Sequence, residues 1–243
     1  MMENFRKKLL FYLTVPKCVC CRERIDIDDK ALCKSCLEEY KNTKNRSCSR
    51  CFKQLYSCSC SNKYLESHAT RKLVKLFRYK PSADPNERVA ANELIYNIKR
   101  VKRRDLLDLI SDEMINAIKN SVSTDNLVVT NVPRKSSRVL KYGFDHSEEI
   151  ARSISKKLGL EYVKLLKSDL KSPQKKLYGE ERIKNAKFDY LRRRSDVTGK
   201  RVLLVDDIVT TGASMGACAV LIKGLGAKEI IGACMGITYR DGE

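Results

Sequence analysis

From Val202 to Val205 the chain places four aliphatic residues in a row with no polar face, which predicts a strand buried on both sides, as in a parallel sheet with helices above and below. The run stops at Asp206 and Asp207, expected at the carboxyl end of that strand, and the apolar stretch at 217–225 predicts a helix opening near Ser214. Further strands are predicted over residues 126–132, 162–166 and 229–235, with the central one starting at Arg201, and a helix over 147–158 separates two of them. This alternation predicts an α/β core with a parallel sheet over residues 126–243. Between 64 and 120 the apolar positions recur instead at steps of three and four. There HATRKLVKLFRYK, NERVAANELIYNIKR and RDLLDLISDEMINAIKN are predicted as helices, with Pro81 and Pro85 breaking the first from the second.

The first 61 residues have a different character. Nine of the eleven cysteines lie from Cys18 to Cys60, eight of them in four close pairs: Cys18/Cys21, Cys33/Cys36, Cys48/Cys51 and Cys58/Cys60. A CxxC turn presents two thiolates to one tetrahedral ion, so the pattern predicts one or two zinc ions. One group would be Cys18, Cys21, Cys33 and Cys36, the other Cys48, Cys51, Cys58 and Cys60, with Cys20 left over as a substitute at the first. Iron–sulfur ligation is the competing metal reading, and the two-by-two spacing favours zinc. A disulfide framework needs an oxidising compartment, and residues 1–17 carry no secretory signal pattern. Cys218 and Cys234 sit in apolar segments and are expected in the core. The expected organisation is a zinc-binding module at 1–61 and a larger domain at 62–243, helical over 64–120. So short and polar a module buries little core, so metal should supply most of its folding energy. No stretch is long and apolar enough to span a membrane; the chain is expected in the cytoplasm, with a peripheral place at the inner membrane open to it.

After the acidic pair come Thr210, Thr211, Gly212 and Ser214. Free N–H groups at a helix start, small hydroxyls and a glycine make an anion cradle, and two carboxylates beside it suit vicinal hydroxyls or a hydrated divalent metal. Together they describe a site for a ribose 5-phosphate. A P-loop is excluded, because there is no GxxxxGK[ST] and no lysine in this loop.

VLLVDDIVTTGAS, residues 202–214, resembles along its whole length the binding motif for phosphoribosyl pyrophosphate (PRPP) of type I phosphoribosyltransferases. The resemblance implies a type I phosphoribosyltransferase-like fold. It also implies that Asp206 and Asp207 hold the ribose hydroxyls, that Thr210, Thr211, Gly212 and Ser214 hold the 5-phosphate, and that Mg²⁺ accompanies PRPP. Two further segments are similar to the ComF family. Residues 133–160 match its basic loop and Arg-Gly-Phe-Asn-Gln turn at Pro133, Arg138, Gly143, Phe144 and Ala151, with Tyr142, Asp145 and His146 as departures. Residues 172–188 match at Gln174, Leu177, Arg182, Asn185 and Phe188. Within that resemblance VPRKSSR (132–138) is similar to a pyrophosphate loop, with Arg134, Lys135, Ser136 and Ser137 as donors. Residues 167–194 would be the flexible loop, with Lys171, Lys175, Lys176 and Arg182 as candidate pyrophosphate contacts. His68 and His146, the only histidines, are expected as structural or surface residues.

The formal charge of +19 predicts attraction to acidic partners. Basic residues crowd the region 134–201, and Tyr178, Phe188 and Tyr190 are expected to stack on bases in a groove for single-stranded nucleic acid. The family resemblance implies handling of single-stranded DNA during DNA uptake, with a helicase or channel at the inner membrane as partner. Two other functions remain open to this chain: a salvage or biosynthetic phosphoribosyltransferase, and a PRPP sensor without chemistry.

Overall fold

In the computed structural model, which describes residues 16–26, 29–79, 90–168, 188–191 and 196–238, the aliphatic run at 202–205 lies in β6 (Arg201–Val209). This strand is the middle of a five-stranded sheet whose order is β1 (Lys72–Arg78), β7 (Glu229–Ile237), β6, β2 (Leu127–Asn131) and β3 (Glu161–Tyr162). All four pairings are parallel. The two-residue period of a strand divides its side chains between two cores. Leu203 and Val205 join Val129, Ile231 and Ala233 on one face, and Val202 and Leu204 join Val128, Ile230 and Cys234 on the other.

Over the first face lie α1 (Lys34–Lys44), α3 (Ala90–Ile98), α4 (Arg104–Ser121) and α6 (His146–Leu158). Over the second lie α2 (Lys63–Ser67), α7 (Ala213–Gly224) and a hairpin of β4 (Leu166–Ser168) with β5 (Phe188–Tyr190). The expected α/β architecture is thus present, with a cysteine-rich region before it. Cys218 and Cys234 are core residues, as expected.

Two expectations need correction. Among the described residues the helix expected over 68–80 does not form: after the short α2, residues 72–78 form β1, an edge strand on β7 with Leu73 opposite Gly232. The helical period there came from the apolar positions Leu73, Val74, Leu76 and Phe77, which set Lys75 apart as polar. Lys75 is not on a solvated face; it is fully buried, its Nζ donating to the carbonyl of Cys60 (2.7 Å) and lying 3.3 Å from Cys58 Sγ. A tertiary contact therefore overrode the local pattern. The strand expected at 162–166 is also divided. Its start pairs with β2, and the chain then leaves the sheet to form β4, antiparallel to β5.

The first half of the cysteine-rich region has no core of its own. Val19, Leu32 and Tyr40 share one cluster with Leu76, Phe77, Leu94 and Ile110, and Tyr40 is anchored further by its hydroxyl on Glu113 (3.4 Å). The second half buries only Cys48, Leu55 and Cys58 in a small cluster apart. So small a cluster contributes little apolar burial.

Candidate functional site

β6 runs through the acidic pair and ends at Val209, held by the pairing of Ile208 with Gly236 and Val209 with Ile237. Successive side chains on a strand face opposite ways, so the two neighbours meet different partners. Asp207 is buried and accepts from His146 Nε2 (2.9 Å) and Lys99 Nζ (2.7 Å). Asp206 is half-buried; its Oδ1 accepts from Ser147 Oγ (3.2 Å) and from the Asp207 N–H (2.9 Å). Burial, and then the charge of Asp207, push the Asp206 carboxyl well above the ordinary carboxylate range. Burial alone would raise Asp207 as well, but the His146 hydrogen bond and the Lys99 charge outweigh it and hold Asp207 below that range. His146 and Lys99 thus favour the anion at Asp207, while burial beside that charge disfavours a second anion at Asp206.

The loop that follows presents Thr210 and Ser214 to solvent and Thr211 half-buried, with Gly212 capping α7 in the left-handed region at φ +87. The glycine serves packing as well as conformation. A Cβ there would lie 2.8 Å from Leu65 Cγ and 3.2 Å from Tyr64 Cδ1, so α2 fills the space beside the turn. Gly143 has a similar φ of +77 with nothing near its missing Cβ. Gly212→Ala is therefore expected to cost more in urea unfolding than Gly143→Ala, whose strain alone is about 1–2 kcal/mol. Equal losses at the two positions would show that α2 does not press on the turn.

The loop after β2 reaches the same place. Arg134 donates its N–H to Asp145 Oδ2 (2.8 Å) and a guanidinium N–H to the Lys99 carbonyl (3.2 Å), with its guanidinium 4.9 Å from the centre of the Tyr142 ring. Lys135, Ser136 and Ser137 are exposed at the start of α5 (Ser136–Tyr142). Asp145 caps α6 by accepting from the N–H groups of Ser147 and Glu148, so this departure from the ComF turn keeps the turn's structural task. His146, expected as a structural or surface residue, is buried, and its Nε2 holds Asp207. Sequence reasoning missed Lys99 and Ser147 altogether. Lys99 comes from the end of α3, far along the chain, and no local pattern marks it; His146 and Ser147 stood in plain view within the turn but carried no charge pattern. Lys171, Lys175, Lys176, Tyr178 and Arg182 lie outside the described residues. Phe188 and Tyr190 pack on the core beside α7, and the Tyr190 hydroxyl donates to the Leu221 carbonyl (3.0 Å). Neither ring is the open stacking face that the sequence suggested.

The cysteines assemble as expected. The thiols of Cys18, Cys21, Cys33 and Cys36 lie within 4.8 Å of one another, as do those of Cys48, Cys51, Cys58 and Cys60, while Cys20 is buried outside the first group. Four sulfurs on a zinc ion with Zn–S near 2.3 Å stand about 3.8 Å apart, and Cys21–Cys33 and Cys51–Cys58 are at 3.7 and 3.4 Å. The donor sets fit zinc. Burial raises Cys18 and Cys48, yet backbone N–H groups pointing at their sulfurs prevail and bring each thiol down to about 7. Cys60 is pushed up to about 12 by burial and by the neighbouring thiols of Cys51 and Cys58. A divalent cation would remove that crowding penalty.

The two groups also share a fold that the sequence did not reveal. Cys18 donates its N–H to Glu23 (2.8 Å) and Arg22 returns one to Cys18 (3.1 Å); Cys48 donates to Lys53 (2.8 Å) and Phe52 returns one to Cys48 (2.9 Å). The residue after each CxxC is left-handed, Arg22 at φ 69 and Phe52 at φ 59.

Residues 132–237 match the family model of the phosphoribosyl transferase domain. The chain is 24% identical over 224 residues to Competence protein F of Haemophilus influenzae, covering 88% of this chain and 93% of that protein. Over 82 residues it is 40% identical to a ribose-phosphate pyrophosphokinase of Pyrococcus abyssi, covering 34% of this chain and 24% of the relative. A purine phosphoribosyltransferase structure from Pyrococcus horikoshii aligns with 54% of this chain and 72% of its own, at 20% identity and a TM-score of 0.35.

Proposed function

The chain belongs to the ComF family, and from that membership we propose that its phosphoribosyl transferase domain binds PRPP with Mg²⁺ at residues 206–214 and that the protein handles single-stranded DNA during DNA uptake. One observation carries the PRPP reading: two adjacent carboxylates, one of them held as an anion, stand beside a glycine-capped helix start on β6. Open α/β sheets bind ligands at such carboxyl edges. In this reading Asp206 and Asp207 take the ribose hydroxyls, and Thr210, Thr211, Gly212 and Ser214 take the 5-phosphate. Arg134, Lys135, Ser136 and Ser137 face the pyrophosphate, with Lys99 as a further cation. Mg²⁺ would neutralise phosphate charge. Zinc on the two cysteine groups would hold the N-terminal region against the sheet edge.

The competence role follows the name of the Haemophilus relative, and its single-stranded DNA part rests on the charge of +19. No helix among the described residues is long and apolar enough to cross a membrane. An inner-membrane helicase or channel is the proposed protein partner. Calorimetric titration of the zinc-loaded chain with PRPP and Mg²⁺, first alone and then with single-stranded DNA, tests the proposal. PRPP should bind, and DNA should change its affinity. PRPP binding indifferent to DNA would mean a small-molecule transferase. Binding that never releases pyrophosphate, with either bases or DNA present, would mean a sensor. No binding of PRPP would remove the reading altogether.

A further inference from the structure

The two cysteine knuckles are built alike, and their difference is informative. In the first, the left-handed residue is Arg22, whose guanidinium donates to Asn97 Oδ1 of α3 (3.2 Å) and so docks the knuckle onto the body of the protein. In the second, the equivalent residue is Phe52, 81% exposed at the tip of a hairpin closed by Ser47 opposite Gln54. A bulky aromatic side chain in the left-handed region carries a conformational cost, and exposing it gains nothing in the isolated chain. Among the described residues it is the most exposed aromatic ring, now that Phe188 and Tyr190 are found packed on the core.

The chemistry around the two tips differs too. The first knuckle is followed by a mixture of charges: Arg22, Glu23, Arg24, Asp26, Asp28 and Asp29. The second lies in a stretch, residues 40–65, that holds six lysines and arginines and no acidic residue. On the hairpin itself Arg46, Arg50 and Lys53 are exposed beside Phe52. Arg50 is engaged by Glu66 and by the Ser61 carbonyl; Arg46 and Lys53 extend the basic surface. An open ring flanked by cations is what a base and its two neighbouring phosphates need.

We propose that the tip of the second cysteine knuckle is a stacking platform for single-stranded nucleic acid, with Phe52 against a base and Arg46 and Lys53 on the adjoining phosphates. It rests on the nucleic-acid part of the function proposed above and gives it a location, independent of the acidic pair on β6.

The chain has no tryptophan, so Phe52→Trp installs a sole tryptophan at the tip, whose emission lies to the red of the tyrosines'. In the zinc-loaded full chain its emission should be quenched on adding a single-stranded oligodeoxynucleotide and left nearly unchanged by a duplex of the same sequence. Phe52→Asn suits the left-handed conformation, so the fold should be at least as stable as the parent. Its affinity for the labelled oligonucleotide in an anisotropy titration should nevertheless fall roughly tenfold, the weight of one stacked base. That variant should keep the salt dependence of binding, whereas Arg46→Gln with Lys53→Gln should flatten it. PRPP titration serves as the control and should be unaffected throughout. Parent-like DNA affinity in Phe52→Asn, or equal quenching by duplex, would overturn the platform while leaving the wider DNA role standing. Failure of the parent chain to bind single strands at all would overturn both.

Discussion

Cys58→Ala is expected to lower the unfolding free energy of the whole chain by about 1–3 kcal/mol, the cost of leaving a buried charge short of one hydrogen-bond partner. The charge is Lys75. Its ammonium is fully buried in β1 and meets Cys58 Sγ at 3.3 Å, with the carbonyls of Cys60 and Leu73 at 2.7 and 3.3 Å. β1 belongs to the main sheet, and the Leu73 N–H also donates to the Ser59 carbonyl (2.9 Å), so damage at the second cysteine group is damage at the sheet edge. Asn62 then caps α2, and Tyr64 and Leu65 of that helix press on Gly212. A chelator that strips the groups should have a larger effect, on the order of 10 kcal/mol of folding free energy. The checks are urea unfolding followed by circular dichroism, with and without chelator. Adding Lys75→Met to Cys58→Ala should recover much of the loss, since both partners are then apolar. A small early transition with an unchanged main one would show that the thiols are uncoupled from the sheet, and no recovery in the double variant would remove the buried-cation argument.

Changing Asp206 and Asp207 to asparagine together should weaken PRPP binding roughly a hundredfold or more, since each carboxylate hydrogen bond is worth about 1.5–3 kcal/mol. The single changes should then part company in stability. Burial and the Asp207 charge hold Asp206 above its ordinary range, so its ionised form is costly in the folded chain, and Asp206→Asn should leave neutral-pH stability equal or higher. Asp207 lies below its ordinary range despite burial, because His146 and Lys99 hold the anion, so Asp207→Asn should destabilise. The pH dependence has a definite sign. The Asp207 contribution is fully present above the unfolded carboxylate value of about 4 and is lost as pH falls through the lower folded value. The Asp206 contribution runs the other way, present below about 4 and lost as pH rises through its elevated folded value. Unfolding curves of the two variants from acid to neutral pH, compared with the parent, separate these arms. An Asp207→Asn variant as stable as the parent at neutral pH would contradict the ion-pair geometry, and parent-like PRPP affinity in the double variant would move the ligand elsewhere.

Much of this was legible before any coordinates. The run at 202–205 needed only its lack of a polar face to be read as a buried central strand, and four close cysteine pairs needed only the coordination preferences of zinc to be sorted into two groups. Both are local signals: the information lies within a dozen or two residues, where chain geometry fixes what can meet. The helices at 104–121 and 146–158 were legible for the same reason, their apolar spacing being a property of one segment.

The rest depended on contacts between distant segments, for which spacing carries no signal. Residues 72–78 have a helical period and are a strand, because a lysine that any local rule sends to solvent is buried on Cys58 and because β7 offers an edge to pair with. Lys99 and His146 reach Asp207 from separate elements, and only their convergence gives two adjacent aspartates opposite shifts. The same holds for the knuckles, where identical hydrogen bonding leaves Arg22 docked and Phe52 open according to what the fold places opposite each. The sequence by itself determined the sheet's central strand, the acidic pair with its glycine turn and the thiol groups, since each is written in neighbouring residues. Tertiary structure alone decided which carboxylate is held as an anion, which lysine is buried and which ring is left facing solvent, since burial and charge pairing belong to the space between segments.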